Sequence, residues 1–142
     1  MKASELMQGN IVLYEYNGEK IPAMVVEIYR SSALVESVSK EYEPIEIAED
    51  KLFPIALTTE ILEKNNFERL RVSWVLKRND YCVTIQFING KWSLTTTNML
   101  AGKDERGRND LVSFCHDWVE TLYVHELQHA LRLCGIDKEI ML

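Results

Sequence analysis

The sequence predicts an α+β fold: an N-terminal SH3-like small β-barrel or curled sheet, then a short helix, an antiparallel β-meander and a C-terminal helix. Three observations carry this expectation. Strand-length apolar runs, rich in β-branched and aromatic residues, recur at 11–16, 21–29, 33–38 and 81–88. Asn17-Gly18 and Asn89-Gly90 separate successive runs, and both residues of such a pair tolerate the positive φ of a tight hairpin. Helical spacing of apolar residues replaces the strand pattern near 58–64 and again at 125–134.

Residues 6–10 lead into a first strand over 11–16. Asn17-Gly18 returns the chain into a second strand at 21–29, where Pro22 near its start suits an edge or entry position. Ser31-Ser32 turns it into a third strand at 33–38. Residues 39–43 form a polar loop, and Pro44 opens a short fourth strand ending at Ile47. Short strands and tight turns packed this closely indicate a small SH3-like barrel or curled sheet over residues 1–55. The remainder, 56–142, is expected to form a second, α+β unit. Thr58 is placed as a helix N-cap with Glu60 in the first turn, Ile61 and Leu62 as the apolar side, and Asn65-Asn66 as a left-handed C-cap.

Strands follow at 70–77, 81–88 and 91–97. They turn at Arg78-Asn79-Asp80 and Asn89-Gly90. Trp74 and Trp92 are expected to pair across neighbouring strands within the core. Residues 102–110 are charged and poor in apolar side chains, the composition of a solvated loop. A second β-pair, 111–115 with 118–124, is expected around His116-Asp117. The last helix spans 125–134 and Gly135 stops it, leaving a tail that can add a short strand.

Composition narrows the function. A hydrophobic content of 46% in 142 residues supports a packed core. The net charge is -6, from 16 basic and 22 acidic residues, which disfavours a general nucleic-acid or anionic-membrane surface. Residues 1–10 contain no apolar h-region, and no run approaches the roughly 20 apolar residues of a membrane helix. Cys82, Cys115 and Cys134 are odd in number and lack metal-site spacing. Together these features lead us to expect a cytoplasmic protein with reduced, buried thiols and no membrane partner.

One string suggests chemistry. His125-Glu126-Leu127-Gln128-His129 reads H-E-x-x-H, in which two histidines one helical turn apart share a Zn²⁺ and the glutamate serves as general base. Three points weigh against zinc hydrolysis here. Extended versions of the motif need glycine at 132 and histidine at 135, where this chain has Arg132 and Gly135. Leu127, Ala130, Leu131 and Cys134 cluster on one helix face, which assigns His125 and His129 to solvent beside Gln128 and Arg132. With residues 118–124 extended, His116 would lie on the order of 25 Å from His125. The expectation is therefore no catalytic residue and no cofactor, with Glu126, His125, His129 and zinc retained as the alternative.

Tyr14, Tyr16 and Tyr29 are the candidate binding surface on the small β-unit. Glu41-Tyr42-Glu43 reads as loop charge. No glycine-rich phosphate loop and no nucleophile elbow is present.

Three stretches resemble a family of small proteins of uncharacterised function from gut bacteria, often encoded in phage-like or mobile regions. They are the opening Leu6-Met7-Gln8-Gly9-Asn10-Ile11-Val12, residues 54–67, and Tyr123-Val124-His125-Glu126-Leu127-Gln128-His129-Ala130-Leu131. The family's final motif is similar to Y-V-H-x-L-Q, usually with glutamine where this chain has Glu126, and its short helix usually ends Asn-Gly where this chain has Asn65-Asn66. The resemblance implies no activity, cofactor or catalytic residue. It does imply that the base needed for zinc hydrolysis is not a family feature.

The functional expectation is a non-enzymatic binding or interaction module, of phage or mobile-element origin, with a protein or peptide partner. The alternatives are a minimal zinc hydrolase and a nucleic-acid-binding accessory protein.

Overall fold

The computed structural model describes residues 1–99 and 112–142, with the backbone alone for 112–115. The fold is α+β, mostly antiparallel sheet with two α-helices. Two compact units are resolved. The first comprises residues 1–56 with 123–125, and the second comprises 57–122 with 126–142.

Unit 1 is a five-stranded antiparallel sheet of β1 (Ile11–Tyr16), β2 (Glu19–Ile28), β3 (Ser32–Ser37), β4 (Ile45–Ala48) and β5 (Leu52–Phe53), ordered β4-β3-β2-β1-β5. Asn17 and Gly18 close the first hairpin with φ of 52° and 81°, as the Asn-Gly pair requires. Register places Val12 opposite Ala23, Val25 opposite Val35, Ala33 opposite Ile47, and Tyr14 opposite Leu52. All eight side chains are buried on one face of the sheet. Each large one stabilises the unit by about 1.5–3 kcal/mol, so a one-residue slip that turned the set to solvent is strongly disfavoured. The register shift between Val25 and Glu27 is a bulge that curls the sheet around this core.

A fifth strand, β5, was not expected from the sequence. It adds to β1 on the side away from β2, preceded by a 3-10 turn over Glu49–Lys51. Asn10 is buried; its Oδ1 accepts from the Met7 N–H at 2.6 Å and its backbone C=O accepts from the Val25 N–H at 2.8 Å, which fixes the entry into β1. Residues 123–125 join unit 1 through a bridge between Ala56 and Tyr123 and the Val124 N–H donating to the Ile55 C=O at 2.9 Å.

Unit 2 begins with α1 (Thr59–Lys64). The Thr58 hydroxyl caps it by accepting from the Ile61 N–H at 3.3 Å. Its C-terminus is a Schellman motif: Asn66 takes φ 59°, the Phe67 N–H donates to the Leu62 C=O, and the Asn66 N–H donates to the Glu63 C=O. Asn65, fully buried, donates to the Ile61 C=O and exchanges two side-chain bonds with the Met141 backbone, at 2.7 and 2.9 Å. With Lys64 donating to the Leu142 C=O at 2.8 Å, these bonds tie the end of the chain to α1, and residues 136–142 form no strand.

The sheet of unit 2 is ordered β10-β9-β8-β7-β6, from β6 (Glu68–Leu70), β7 (Ser73–Arg78), β8 (Tyr81–Ile88), β9 (Lys91–Asn98) and β10 (Val112–Val119). The strand expected at 70–77 is two strands, because Arg71 takes φ 56° and turns the chain between them. The second β-pair expected around His116-Asp117 is also corrected. Residues 112–119 form one strand on β9, bulged between His116 and Val119, and Trp118 takes φ 50°. The expected hairpin of 111–115 with 118–124 does not form: Val119 stays on β9 opposite Trp92, and the chain leaves the sheet after it. The charged loop expected at 102–110, with Leu111, lies outside the described residues. Trp74 and Trp92 do meet, with ring centres 6.4 Å apart, but across the intervening β8, and Phe87 lies 4.6 Å from Trp92.

The last helix, α2 (Val124–Leu133), ends as expected at Gly135, φ 64°. It closes a second Schellman motif, the Ile136 N–H donating to the Leu131 C=O and the Gly135 N–H to the Arg132 C=O. Cys134 is buried, and burial pushes its thiol up. Among the described residues, no helix is long and apolar enough to cross a membrane.

Candidate functional site

The aromatic residues of unit 1 separate into three environments. Val12, Tyr14 and Tyr16 alternate along β1 onto the core face. Tyr14 is 2% exposed and sits opposite Leu52, so it is core and not binding surface, a correction to the sequence expectation. Burial pushes its hydroxyl up, with further upward contributions from Tyr42 and Tyr16.

Tyr16 continues the same row beyond the core and is 43% exposed. Its ring centre lies 6.5 Å from that of Tyr14 and 6.4 Å from that of Tyr42, tilted 49° in both cases. Tyr42, in the connection between β3 and β4, is 50% exposed. The β1 row therefore passes from buried Val12 and Tyr14 to Tyr16, whose ring and that of Tyr42 are exposed together at the mouth of the sheet, beside the β1–β2 hairpin.

Tyr29 is elsewhere. Tyr16 pairs with Glu19 at the start of β2, whereas Tyr29 follows Ile28 at its far end, roughly 30 Å of strand contour away. Its hydroxyl donates to the Glu27 carboxylate at 3.0 Å, which pushes the phenol up. Of the three tyrosines expected at the surface, Tyr14 is buried, Tyr29 is exposed at the far end of β2, and Tyr16 is exposed beside Tyr42. Tyr42 escaped sequence reasoning because it lies in a polar loop far along the chain from Tyr16. The available signal was one large aromatic between two glutamates, where solvent-facing loops seldom place a ring.

The acidic surroundings of the mouth are local. Glu19 stands directly opposite Tyr16 in the hairpin register, and Glu41 and Glu43 flank Tyr42; all three are exposed. Residues 1–56 carry ten acidic and five basic side chains. Lys20 and Phe53 belong to the other face of the sheet, where the Lys20 ammonium sits 4.0 Å from the Phe53 ring centre.

The H-E-x-x-H string is divided between the units, His125 in the first and residues 126–129 in the second. In unit 1, the His125 ring stacks on Tyr123 with centres 5.8 Å apart and planes at 18°, and His125 is 7% exposed. In unit 2, the Glu126 carboxylate lies 3.4 Å from Nε2 of His116. Two expectations are corrected here. Residues 118–124 were expected to run extended and carry the chain far from His116; the chain instead bends at Trp118, φ 50°, and within unit 2 His116 meets Glu126. The histidines were expected on a solvent face. Instead His125 and Gln128 are buried along with Leu127, Ala130 and Leu131, His129 is half-buried, and Arg132 and Leu133 carry the exposure.

A one-stripe reading fails because α2 buries more than one side. Burial pushes the His129 imidazole below its ordinary value, and the Arg132 cation pushes it further down. Those two causes favour the neutral ring. Among the described residues, no group of three His, Cys, Asp or Glu is placed to hold a metal ion. A partly exposed His–Glu pair contributes less than about 1 kcal/mol.

Compared with protein-family models, curated proteins and solved structures, the chain matches none of them.

Proposed function

We propose that this chain is a non-enzymatic interaction module whose partner is a protein or peptide, bound at the mouth of the N-terminal sheet by Tyr16 and Tyr42. The observation that carries the reading is the pair of exposed rings, 6.4 Å apart, at the end of a row whose inner members are buried. Folded proteins rarely leave two large aromatic rings together in water, and such rings are the commonest anchors of binding surfaces. Tyrosine is also well suited to recognition, since it offers an apolar face, a polar hydroxyl and only two rotatable angles to order on binding.

The SH3-like character of the sheet belongs to this proposal. Short strands in antiparallel order around one small core support it. So does an origin in phage-like or mobile regions, supported by the three stretches of family resemblance.

Selection of a random peptide library against the immobilised chain tests the reading. The selection is expected to enrich peptides that lose binding to a Tyr16→Ala/Tyr42→Ala variant while that variant keeps the wild-type melting temperature within a few degrees. Enriched peptides that bind the variant equally well would contradict the assignment of the surface.

A further inference from the structure

We infer that the partner presents a cationic side chain, a lysine or arginine on an extended segment, to the Tyr16–Tyr42 mouth. This rests on the interaction surface proposed above and deepens it by naming the chemistry recognised.

The rings supply the first part. A tyrosine face carries partial negative charge and attracts an ammonium or guanidinium within about 6 Å of its centre. The two rings are tilted at 49°, not stacked, so neither covers the other's face, and each is at least 43% exposed.

The carboxylates supply the second. Glu19 is the register partner of Tyr16, so the two side chains leave the same face with Cβ atoms about 5 Å apart. Glu41 and Glu43 bracket Tyr42 in sequence and are exposed. Lys20, the basic residue next to Glu19, leaves the sheet on the other face and lies against Phe53. Lys40 is the basic residue nearest Tyr42 in sequence, against Glu41 and Glu43 next to Tyr42 along the chain and Glu19 opposite Tyr16 in register.

Charge complementarity selects the occupant. An anionic partner such as a nucleic acid would meet these carboxylates and be repelled. A neutral apolar segment would leave them desolvated at its rim. A cation satisfies rings and carboxylates together, and its long aliphatic stem can lie along the exposed ring edges.

The probe is a capped heptapeptide alternating glycine with arginine or lysine, compared with an analogue carrying glutamine at every cationic position. Titration calorimetry follows binding to the full chain at low and high ionic strength. The cationic peptide is expected to bind about tenfold or more tightly than the glutamine analogue and to weaken as salt rises. Tyr42→Ala or Tyr16→Ala is expected to reduce its affinity about five- to tenfold, while Tyr16→Phe, which keeps the ring, stays within about twofold. Glu19→Gln with Glu43→Gln is expected to lower affinity and flatten the salt dependence.

Cationic binding unchanged in Tyr42→Ala would overturn the inference, since diffuse attraction to an acidic chain would then explain it. Equal binding of both peptides, lost in Tyr16→Ala, would overturn the cationic assignment and leave the interaction surface standing. Binding of neither peptide, with library peptides still selected through the same tyrosines, would do likewise. Binding of neither, with no library peptide depending on the tyrosines, would remove both readings.

Discussion

Single asparagines carry much of the backbone geometry. Asn17, Asn66, Asn79 and Asn89 all take φ between 52° and 59°, the left-handed region in which asparagine is the best-tolerated residue with a side chain. Their positions follow from local chemistry, so these turns are legible in sequence. Arg71 and Trp118, at φ 56° and 50°, are not. No local rule places a left-handed arginine or tryptophan, and both lapses in the expected strand pattern fall there. Asn66 gives a direct check. Replacing Asn66 with Gly relieves the remaining steric cost at C′ of α1 and is expected to stabilise unit 2 by up to about 1 kcal/mol. Asn66→Ala is expected to destabilise by about 1 kcal/mol, because alanine loses asparagine's tolerance of this region. Chemical denaturation of the two variants reads the difference, and the same sign for both would contradict the cap assignment.

At the scale of the element, α2 shows what pattern reasoning reaches and what it misses. Its position, its apolar residues Leu127, Ala130 and Leu131, and its Gly135 stop follow from 3.6-residue spacing and cap chemistry. The burial of His125 and Gln128 does not, because spacing identifies the most apolar stripe and cannot say how many sides of a helix are covered. The meeting of His116 with Glu126 depends on the bend at Trp118, hence on tertiary context. Burial of this helix carries a pH signature at His129. Its folded-state affinity for a proton is lowered relative to the unfolded chain, first by burial and then by Arg132. Over the window below its ordinary value of 6.5, the unfolded chain binds the proton more readily than the folded one. The contribution of His129 to stability is therefore complete above that value and is lost as pH falls through the depressed folded value. Thermal melts of wild type and His129→Gln are expected to converge or cross as pH drops from neutrality toward 5, the wild type losing more stability. A difference between the two that is independent of pH would contradict the burial argument.

The whole molecule separates what stabilises from what is displayed. Each unit builds its sheet antiparallel and buries one principal face, and the composition and turn chemistry made that α+β organisation readable from the chain. The display was only half readable. Tyr16 stands out as the outermost ring of an alternating strand, whereas its companion Tyr42 reaches it only after the sheet curls and returns through β3. Tyr14, equally tyrosine-like in sequence, is buried in the core, and Tyr29 stays exposed far from Tyr16 with its hydroxyl donating to Glu27. H-E-x-x-H, the most conspicuous string in the chain, resolves into a stacked histidine, a His116–Glu126 pair and a half-buried ring, while the binding surface proposed above is the acidic, aromatic mouth of unit 1. The most direct test of that claim is the residue-resolved NMR spectrum of the isotope-labelled chain, titrated with the arginine- and lysine-bearing heptapeptide. Shift changes concentrated on Tyr16, Glu19 and residues 41–43, with 125–129 unmoved, are the predicted result. Changes centred on 125–129, or spread evenly over the acidic surface with Tyr16 and Tyr42 unmoved, would contradict it.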